Sequence, residues 1–276
     1  MNIGVGLPNT TPGADGRLLG DWARRADAGP FSSLAVLDRV VYESIDPFVA
    51  LAAAAPLTSR VRLATMVAIG PLRNTALLAK QASSIDALSG GRLTLGLAIG
   101  ARLDDFDAVG VPHRGRGELL SEQLGYMKTG GDGRRGLQMP PSVELLVGGS
   151  SDRAFARAAR FADGYAHGGG PPRAFAGAAA RARAAWTDLG RPGRPRLWGQ
   201  GYYALGDVER GNAYLADYYE VTGPFAEKIV AANLTSARAI KDFIRGYEDA
   251  GCDELVLLPT VSNIEELDRL GEVIAG

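Results

Sequence analysis

Two adjacent glycines followed by two serines form a candidate binding loop. They lie in the segment VGGSSDRAFARAARFADGY, residues 147–165. Gly148 and Gly149 would let the backbone approach a ligand closely, and Ser150 or Ser151 can cap the helix that the following residues predict. The free N–H groups and the dipole of that helix favour a phosphate group. An ordinary strand, turn and helix with a serine cap would need the same residues, so both interpretations stay open.

Residue types for a metal centre or for covalent lysine chemistry are scarce. The chain has one cysteine, two histidines and no His-x-His pattern, and it therefore predicts no metal ligands. A Schiff-base lysine would have to lie at a strand end. All the lysines lie instead in predicted helices, at Lys80, Lys128, Lys228 and Lys241. Metal hydrolases and Schiff-base aldolases are therefore disfavoured, and a bound cofactor would have to bring the chemistry.

Eight short apolar runs alternate with longer segments of helical period. This alternation is typical of βαβ units, and eight of them in about 250 residues favour a (β/α)8 TIM barrel, in the α/β class, over an open doubly wound sheet. The predicted strands are Ile3–Leu7, Leu34–Asp38, Val61–Ile69, Leu93–Ile99, Glu144–Val147, Gly164–His167, Leu197–Leu205 and Glu254–Leu258. We expect residues 1–276 to form this single domain, because the Gly-rich segment Gly130–Gly136 resembles a connecting loop.

Nine helices are predicted among these strands. They cover residues 18–28, 46–57, 74–89, 115–128, 151–161, 173–189, 207–219, 235–250 and 263–274. In the third helix, an apolar stripe recurs every three residues and is expected to face the sheet. The stripe consists of Ala76, Ala79, Ala82, Ile85 and Leu88. The opposite face is expected to carry Lys80, Ser84 and Asp86.

In such a barrel, the active site lies at the carboxyl ends of the strands. There the sequence offers Asp38 and Arg39 after the second strand and His167 at the end of the sixth. Gly100 and Arg102 follow the fourth strand. Arg102 can pair with a phosphate or an acidic substrate, or merely with the acidic residues that follow it.

The charge balance argues against partners with strong negative fields. The chain has 30 Lys and Arg against 31 Asp and Glu, for a formal charge of −1, which disfavours binding to nucleic acid or to an anionic membrane. The first residues lack the pattern of a signal peptide, and no apolar stretch reaches the roughly 18–20 residues that span a bilayer. The single cysteine, Cys252, can form no intramolecular disulfide, so we expect a cytoplasmic protein.

Three segments together resemble a known family. The run VRLATMVAIGPLRNTALLAKQASSIDALSGGRLTLGLAIG covers residues 61–100, LDRVVYESIDPFVALAAAA precedes it at 37–55, and LLVGGSS and ADGY follow it. Over nearly the whole chain, they are similar to the bacterial luciferase-like monooxygenases. The resemblance implies a (β/α)8 barrel that binds FMN or the 8-hydroxy-5-deazaflavin coenzyme F420, often as a homodimer.

The resemblance also assigns functional positions in the third strand and in the phosphate loop. The third strand of the family has a bulge with a non-prolyl cis peptide against the flavin ring, and the corresponding bond here is Met66–Val67, after Thr65. The phosphate loop of the family corresponds to Gly149, Ser150 and Ser151. The predicted cofactor contacts are therefore Thr65, Met66, Val67, Gly100, Arg102, Gly148, Gly149, Ser150 and Ser151.

The predicted catalytic residues are Asp38, Arg39 and His167. Asp38 lies where family members place a polar residue near the ring and the substrate. Several relatives have a histidine where this chain has Arg39, so the resemblance does not carry a histidine acid–base role to that position.

These features favour a monooxygenase that uses reduced FMN. A separate flavin reductase would supply the reduced FMN, and one oxygen atom of O2 would be transferred to a small organic substrate. The alternative is an F420-dependent oxidoreductase that transfers hydride in a similar barrel. A barrel that binds flavin without turnover is a further alternative, because ionisable residues are sparse at the strand ends.

Overall fold

The computed structural model describes residues 1–130 and 137–276. Eight parallel strands close into a barrel in chain order, and the last pairs with the first. They are β1 (Asn2–Gly6), β2 (Ser33–Val36), β3 (Arg62–Ile69), β4 (Leu93–Ala98), β5 (Glu144–Gly148), β6 (Gly164–Ala166), β7 (Arg196–Tyr203) and β8 (Glu254–Pro259). The predicted (β/α)8 barrel is confirmed. Of the predicted loop Gly130–Gly136, all but the first residue lies outside the described residues.

Helices surround the barrel in the described part of the chain. They are α1 (Gly16–Ala28), α2 (Pro47–Ala54), α3 (Thr75–Ser89), α4 (Leu103–Val109), α5 (Arg116–Thr129), α6 (Asp152–Phe161), α7 (Pro172–Asp188), α8 (Val208–Tyr218), α9 (Phe225–Ala231), α10 (Ala237–Asp249) and α11 (Ile264–Ala275). The sequence did not predict α4 and α9, because seven residues each are too few to show a helical period. None of the described helices is long and apolar enough to cross a membrane.

Side-chain caps determine where several helices begin. The carboxylate of Asp46 accepts hydrogen bonds from the N–H groups of Phe48 and Val49, and Pro47 is the first residue of α2. Ser151 caps α6 in a similar way. Because caps of these types satisfy N–H groups that a helix leaves unpaired, they start a helix at a definite residue. The cap at Ser151 thus places the beginning of α6 directly after β5.

The buried face of α3 differs from the prediction at Leu88, which belongs to the expected stripe, and at Asp86, which belongs to the expected solvent face, and Ala76 of the stripe is only half-buried. Ala82 and Ile85 are buried as expected, but Leu88 is 58% exposed. A strict three-residue spacing falls back by about 60° at each step of a helix with 3.6 residues per turn, so the stripe rotates away from the sheet. Asp86, which was expected on the solvent face, is buried and accepts a hydrogen bond from Ser142 Oγ at 2.5 Å.

The barrel interior packs separately from the layer between strands and helices. Trp198, Leu146 and Val256 belong to the interior cluster. Since side chains alternate along a strand, β7 contributes Trp198 and Tyr202 to the interior, while Tyr203 packs under the helices. Side chains therefore fill the barrel interior below the carboxyl ends of the strands.

Candidate functional site

The loop between β5 and α6 lies at the carboxyl end of the barrel. Gly149 has a φ of +128°, which favours glycine. A Cβ atom at this position would lie 2.8 Å from the Cβ of Ala154. Ser151 Oγ accepts a hydrogen bond from the N–H of Ala154 at 3.2 Å and caps α6. Gly148 is the last residue of β5, so the loop starts directly at the edge of the barrel.

The backbone N–H groups of this loop are available to an anion. Within residues 1–130 and 137–276, the N–H groups of Gly149, Ser150 and Ser151 donate to no protein acceptor. The carbonyls of the loop are held instead: Tyr165 Oη donates to Gly149 O at 2.7 Å, and Arg181 Nη1 donates to Ser150 O at 3.0 Å. Free donors at the N-terminus of a helix fit a phosphate group.

The strand β3 changes its register where the resemblance places a bulge. Its pairing with β4 shifts between Thr65 and Ala68, and the Met66–Val67 peptide bond is cis, as expected. The Thr65 hydroxyl donates to the carbonyl of Gly96 at 2.7 Å and accepts from its N–H at 2.9 Å. The Thr65 side chain therefore bridges the two strands across the bulge, and its hydroxyl is already occupied.

The bulge and the candidate phosphate loop meet at an apolar contact. A Cβ atom at Gly148 would lie 3.5 Å from Val67 Cγ2 and 3.6 Å from Ala98 Cβ. Met66 is buried in the interior cluster. Small residues on β4 and β5 thus leave Val67 room to turn into the barrel mouth, and the wall at this place is apolar.

Asp38 is engaged in a buried ion pair. Its Oδ2 accepts hydrogen bonds from the N–H of Ile69 at 2.7 Å and from Arg73 Nη1 at 2.5 Å, and its Oδ1 accepts from Arg73 Nη2 at 2.9 Å. Burial raises the pKa of Asp38, and the Arg73 guanidinium opposes that rise. The carboxylate therefore ties the end of β3, just after the bulge, to the end of β2.

Arg39 is stacked between two tyrosines. Its guanidinium carbon lies 4.2 Å from the ring centroid of Tyr42 and 5.0 Å from that of Tyr218, an arrangement typical of cation–π contacts. Arg39 Nη1 also donates to the carbonyl of Tyr218 at 3.1 Å. Its Nε is buried without a partner in the described part of the chain. Arg39 therefore joins the end of β2 to the end of α8.

The residues after β4 are engaged with their neighbours. Arg102 Nη2 pairs with the carboxylate of Asp104, and Arg102 Nε approaches Asp105 at 3.9 Å. Gly100 has a φ of +72°, and its carbonyl accepts a hydrogen bond from Arg116 Nε at 3.1 Å. Of the two alternatives for Arg102, the structure shows the pairing with acidic neighbours.

His167 directly follows β6. Ala166 faces the barrel interior and Tyr165 packs under the helices, so the alternation along the strand turns the His167 side chain toward the helices and not into the mouth, where a catalytic role was expected. Its ring packs edge-on against Phe175, with 5.6 Å between the ring centroids. Its Nδ1 is buried and finds no hydrogen-bond partner among the residues described. Burial lowers the pKa of His167, so the ring is neutral at pH 7 and one of its nitrogens can accept a proton.

Sequence reasoning missed a cluster of tyrosines at the barrel mouth. This aromatic cluster consists of Tyr42, Tyr202, Tyr214, Tyr218 and Tyr219. The hydroxyl oxygens of Tyr202 and Tyr219 lie 2.6 Å apart. The four-residue spacing of Tyr214 and Tyr218 does predict that they share one face of a helix. Nothing local in the sequence indicates that this face covers the ends of β2 and β7.

The predicted site residues all lie at the carboxyl end of the barrel, on β2 to β6 or just after them. Within the described ranges, no group of three or more His, Cys, Asp or Glu residues is placed to hold a metal ion. The fold is a closed (β/α)8 barrel with free N–H groups in the loop after β5 and an apolar mouth, features typical of the class of barrels that bind phosphate-bearing cofactors. The chain belongs to the luciferase-like monooxygenase family, whose model matches residues 1–251. The resemblance found in the sequence is thereby confirmed.

Sequence relatives agree with this family membership but do not identify a substrate for this chain. An uncharacterised protein of Mycobacterium tuberculosis (strain ATCC 25618 / H37Rv) is 34% identical over 187 residues, which cover 54% of this chain and 65% of the relative. The pyrimidine monooxygenase RutA of Enterobacter cloacae is 28% identical over 171 residues, covering 54% of this chain and 47% of that protein. The matches thus span less than two thirds of these relatives.

Solved structures share the fold at low sequence identity. An F420-dependent secondary alcohol dehydrogenase in complex with an F420-acetone adduct has a TM-score of 0.83 and 15% identity, covering 99% of this chain and 98% of that one. The oxygenating constituent of 3,6-diketocamphane monooxygenase from Pseudomonas putida, in complex with FMN, has a TM-score of 0.73 and 17% identity, covering 99% and 96%. The monooxygenase RslO1 from Streptomyces bottropensis has a TM-score of 0.77 and 19% identity, covering 100% and 98%.

Proposed function

We propose that this chain is an FMN-dependent monooxygenase, which receives reduced FMN from a separate flavin reductase and transfers one oxygen atom of O2 to a small organic substrate. The observation that carries the proposal is the apolar wall of the barrel mouth at Val67, beside ionisable groups that are engaged elsewhere. Asp38 pairs with Arg73, and Arg102 pairs with Asp104. Such surroundings keep water away from an oxygen-activating cofactor.

The residues at the mouth fit FMN. The free N–H groups of Gly149, Ser150 and Ser151 would hold its phosphate, and the backbone at Met66–Val67 would lie against its ring. When bound, reduced FMN supplies two electrons and two protons, so that one oxygen atom of O2 goes to the substrate and the other leaves as water.

The protein's own part is to exclude water and to position the substrate. The aromatic cluster covers the mouth from the side of β2 and β7, and Arg39 fastens α8 to β2 through the carbonyl of Tyr218. We assign Asp38 a positioning role, because both of its oxygens hold Arg73 and the N–H of Ile69 at the end of the bulged strand.

An F420-dependent hydride transfer is the second candidate, and His167 is the observation that favours it. Oxidising an alcohol by hydride transfer requires a group that takes up the hydroxyl proton. His167 follows β6 with a buried Nδ1 that has no partner among the described residues, and burial lowers the pKa of the ring. Because the ring packs against Phe175 on the helix side, it would have to turn toward the mouth to accept that proton.

Cofactor binding and oxygen reactivity distinguish the two candidates. The protein is titrated with FMN and with F420 while absorbance and fluorescence are recorded. It is then mixed anaerobically with photoreduced FMN and transferred to oxygenated buffer. The monooxygenase proposal expects FMN to bind and to be reoxidised with kinetics that differ from those of free reduced FMN. Binding of F420 at micromolar concentration, together with reoxidation of FMN at the rate of the free compound, would overturn it in favour of hydride transfer.

A further inference from the structure

Gln200 is a buried amide with one end unpaired inside the barrel mouth. It lies on β7 between Trp198 and Tyr202, which both belong to the interior cluster, and it pairs in register with Val256 of β8, another member of that cluster. Because side chains alternate along a strand, Gln200 points to the barrel interior as well. Its side chain is 95% buried, since only 5% of the residue is exposed.

The orientation of this amide is determined by the loop after β6. Gln200 Nε2 donates to the carbonyl of Gly168 at 3.2 Å. A carbonyl can only accept a hydrogen bond, so the NH2 group and not the oxygen must face Gly168. A Cβ atom at Gly169 would lie 3.5 Å from Gln200 Cγ, so the loop also packs against the side chain. The amide oxygen therefore points away from this loop.

The oxygen at the other end of the amide lacks a donor. Gln200 Oε1 is buried and has no hydrogen-bond partner in the described part of the protein. A buried acceptor left unpaired is costly, and buried polar groups in folded proteins are nearly always satisfied. The partner that Oε1 requires is an N–H or O–H donor that enters the barrel mouth.

We propose that Gln200 Oε1 accepts a hydrogen bond from the imide N–H of the cofactor ring and is a binding determinant for that ring. The inference rests on the proposed binding of FMN or F420. The candidate phosphate loop follows β5, the bulge lies on β3, and Gln200 lies on β7, at the same end of one barrel. The imide is the ring N–H that oxidised FMN and F420 have in common, whereas the ring carbonyls only accept, so an unpaired acceptor is the complementary group.

The test compares Gln200→Met with wild type in titrations with FMN and with F420. Methionine keeps the size of the side chain and removes the amide, so we expect the Kd to rise about five- to tenfold, as for the loss of one hydrogen bond. Tyr203→Phe is the matched control, because its buried and unpaired hydroxyl lies on the same strand but faces the helices. Its Kd should equal that of wild type.

A cofactor analogue tests the same contact without relying on a variant. Wild type is expected to bind 3-methyl-FMN, which lacks the imide hydrogen, more weakly than FMN, and Gln200→Met should show a smaller difference between the two. The assignment would be overturned if wild type and Gln200→Met had equal Kd values, or if both proteins lost the same affinity when 3-methyl-FMN replaced FMN. Gln200 would then contact the substrate or stabilise the fold. If wild type binds neither FMN nor F420, the proposed function fails first, and the assignment fails with it.

Discussion

The acidic side chains at the amino end of the barrel are hydrogen-bonded by the protein itself, whereas several buried polar atoms at the carboxyl end are not. At the amino end, Glu254 Oε1 accepts hydrogen bonds from the hydroxyls of Ser32 and Ser33. Next to it, Asp253 accepts two hydrogen bonds from Arg194, at 2.7 and 2.9 Å, and one from the N–H of Leu197 at 2.9 Å. The acids at this end are thus surrounded by donors from the protein itself.

At the carboxyl end, several buried polar atoms have no hydrogen-bond partner in the described residues. They are Arg39 Nε, Arg102 Nε, Asp104 Oδ1, His167 Nδ1 and Gln200 Oε1, although Arg102 Nε lies 3.9 Å from the Asp105 carboxylate. Toward the amino end, Trp198 Nε1 likewise lacks a hydrogen-bond partner among these residues. The N–H groups of the phosphate loop are free as well. Because unpaired buried polar groups are costly, we expect the acids at the amino end to maintain the fold and the carboxyl end to be completed by a ligand.

The largest effect is expected at the phosphate loop. Gly149→Val should abolish FMN binding, because a side chain at a φ of +128° is strained and its Cβ would lie 2.8 Å from Ala154 Cβ. FMN titrations of folded variant and wild type measure the effect. Gly190→Val is the matched control, since Gly190 also has a positive φ, of +66°, but lies away from the loop with nothing within 4 Å of its Cβ position. Binding by Gly149→Val with the affinity of wild type would refute the phosphate assignment.

At the amino end, we expect a substitution to change the stability of the fold and not ligand binding. Asp253→Asn should lower the free energy of unfolding by roughly 1–3 kcal/mol, because the amide replaces an acceptor facing Arg194 and the N–H of Leu197. Burial raises the pKa of Asp253, but these hydrogen bonds lower it, and the net result is a lowered pKa. The contribution of Asp253 to stability is therefore present above the pKa of the unfolded state and is lost as the pH falls through the pKa of the folded state. Urea unfolding from pH 7 to pH 3 measures this, and the Kd for FMN should stay unchanged at pH 7.

At the carboxyl end, we expect His167 to give the free energy of unfolding a different pH dependence. Burial lowers its pKa below the usual 6.5, so its neutral form is favoured in the folded protein. Its contribution to stability is present above pH 6.5 and declines as the pH falls below that value, with a slope under about 1.4 kcal/mol per pH unit. His167→Phe should remove this decline in urea unfolding between pH 7.5 and 5.5. His113→Gln replaces the other histidine and should retain it; a decline that persists in His167→Phe would contradict the assignment.

The smallest effect is expected for a hydroxyl of the phosphate loop. Ser150→Ala should weaken FMN binding by about 1 kcal/mol, the usual contribution of one hydrogen bond, or about fivefold in Kd. The backbone N–H groups, which supply most of the interaction, remain. Isothermal titration measures the change. A loss as large as that of Gly149→Val would mean that the side chain, and not the backbone, carries the site.

Local patterns predicted the barrel and the serine-capped turn between β5 and α6 well. Strand and helix periods, caps such as Ser151 and the glycines at 148 and 149 depend on neighbouring residues, so one stretch of sequence is enough to predict them. The prediction for α3 was wrong at Leu88 and Asp86 because a spacing of three only approximates the helical period. The helices α4 and α9 were missed because they are too short to show a period.

The sequence by itself determined the alternation of strands and helices and the glycine-serine loop, and its resemblance to the family gave the position of the bulge in β3. Only the tertiary structure decided which polar groups are already paired. Asp38 and Arg73 are 35 residues apart and Arg39 and Tyr218 are 179 apart, and no local pattern predicts such contacts. The physical reason is that a hydrogen bond depends on positions in space, whereas periodicity and capping depend on positions along the chain. Closing the barrel brings β2, β3 and α8 together, and that closure decides which groups stay free for a ligand.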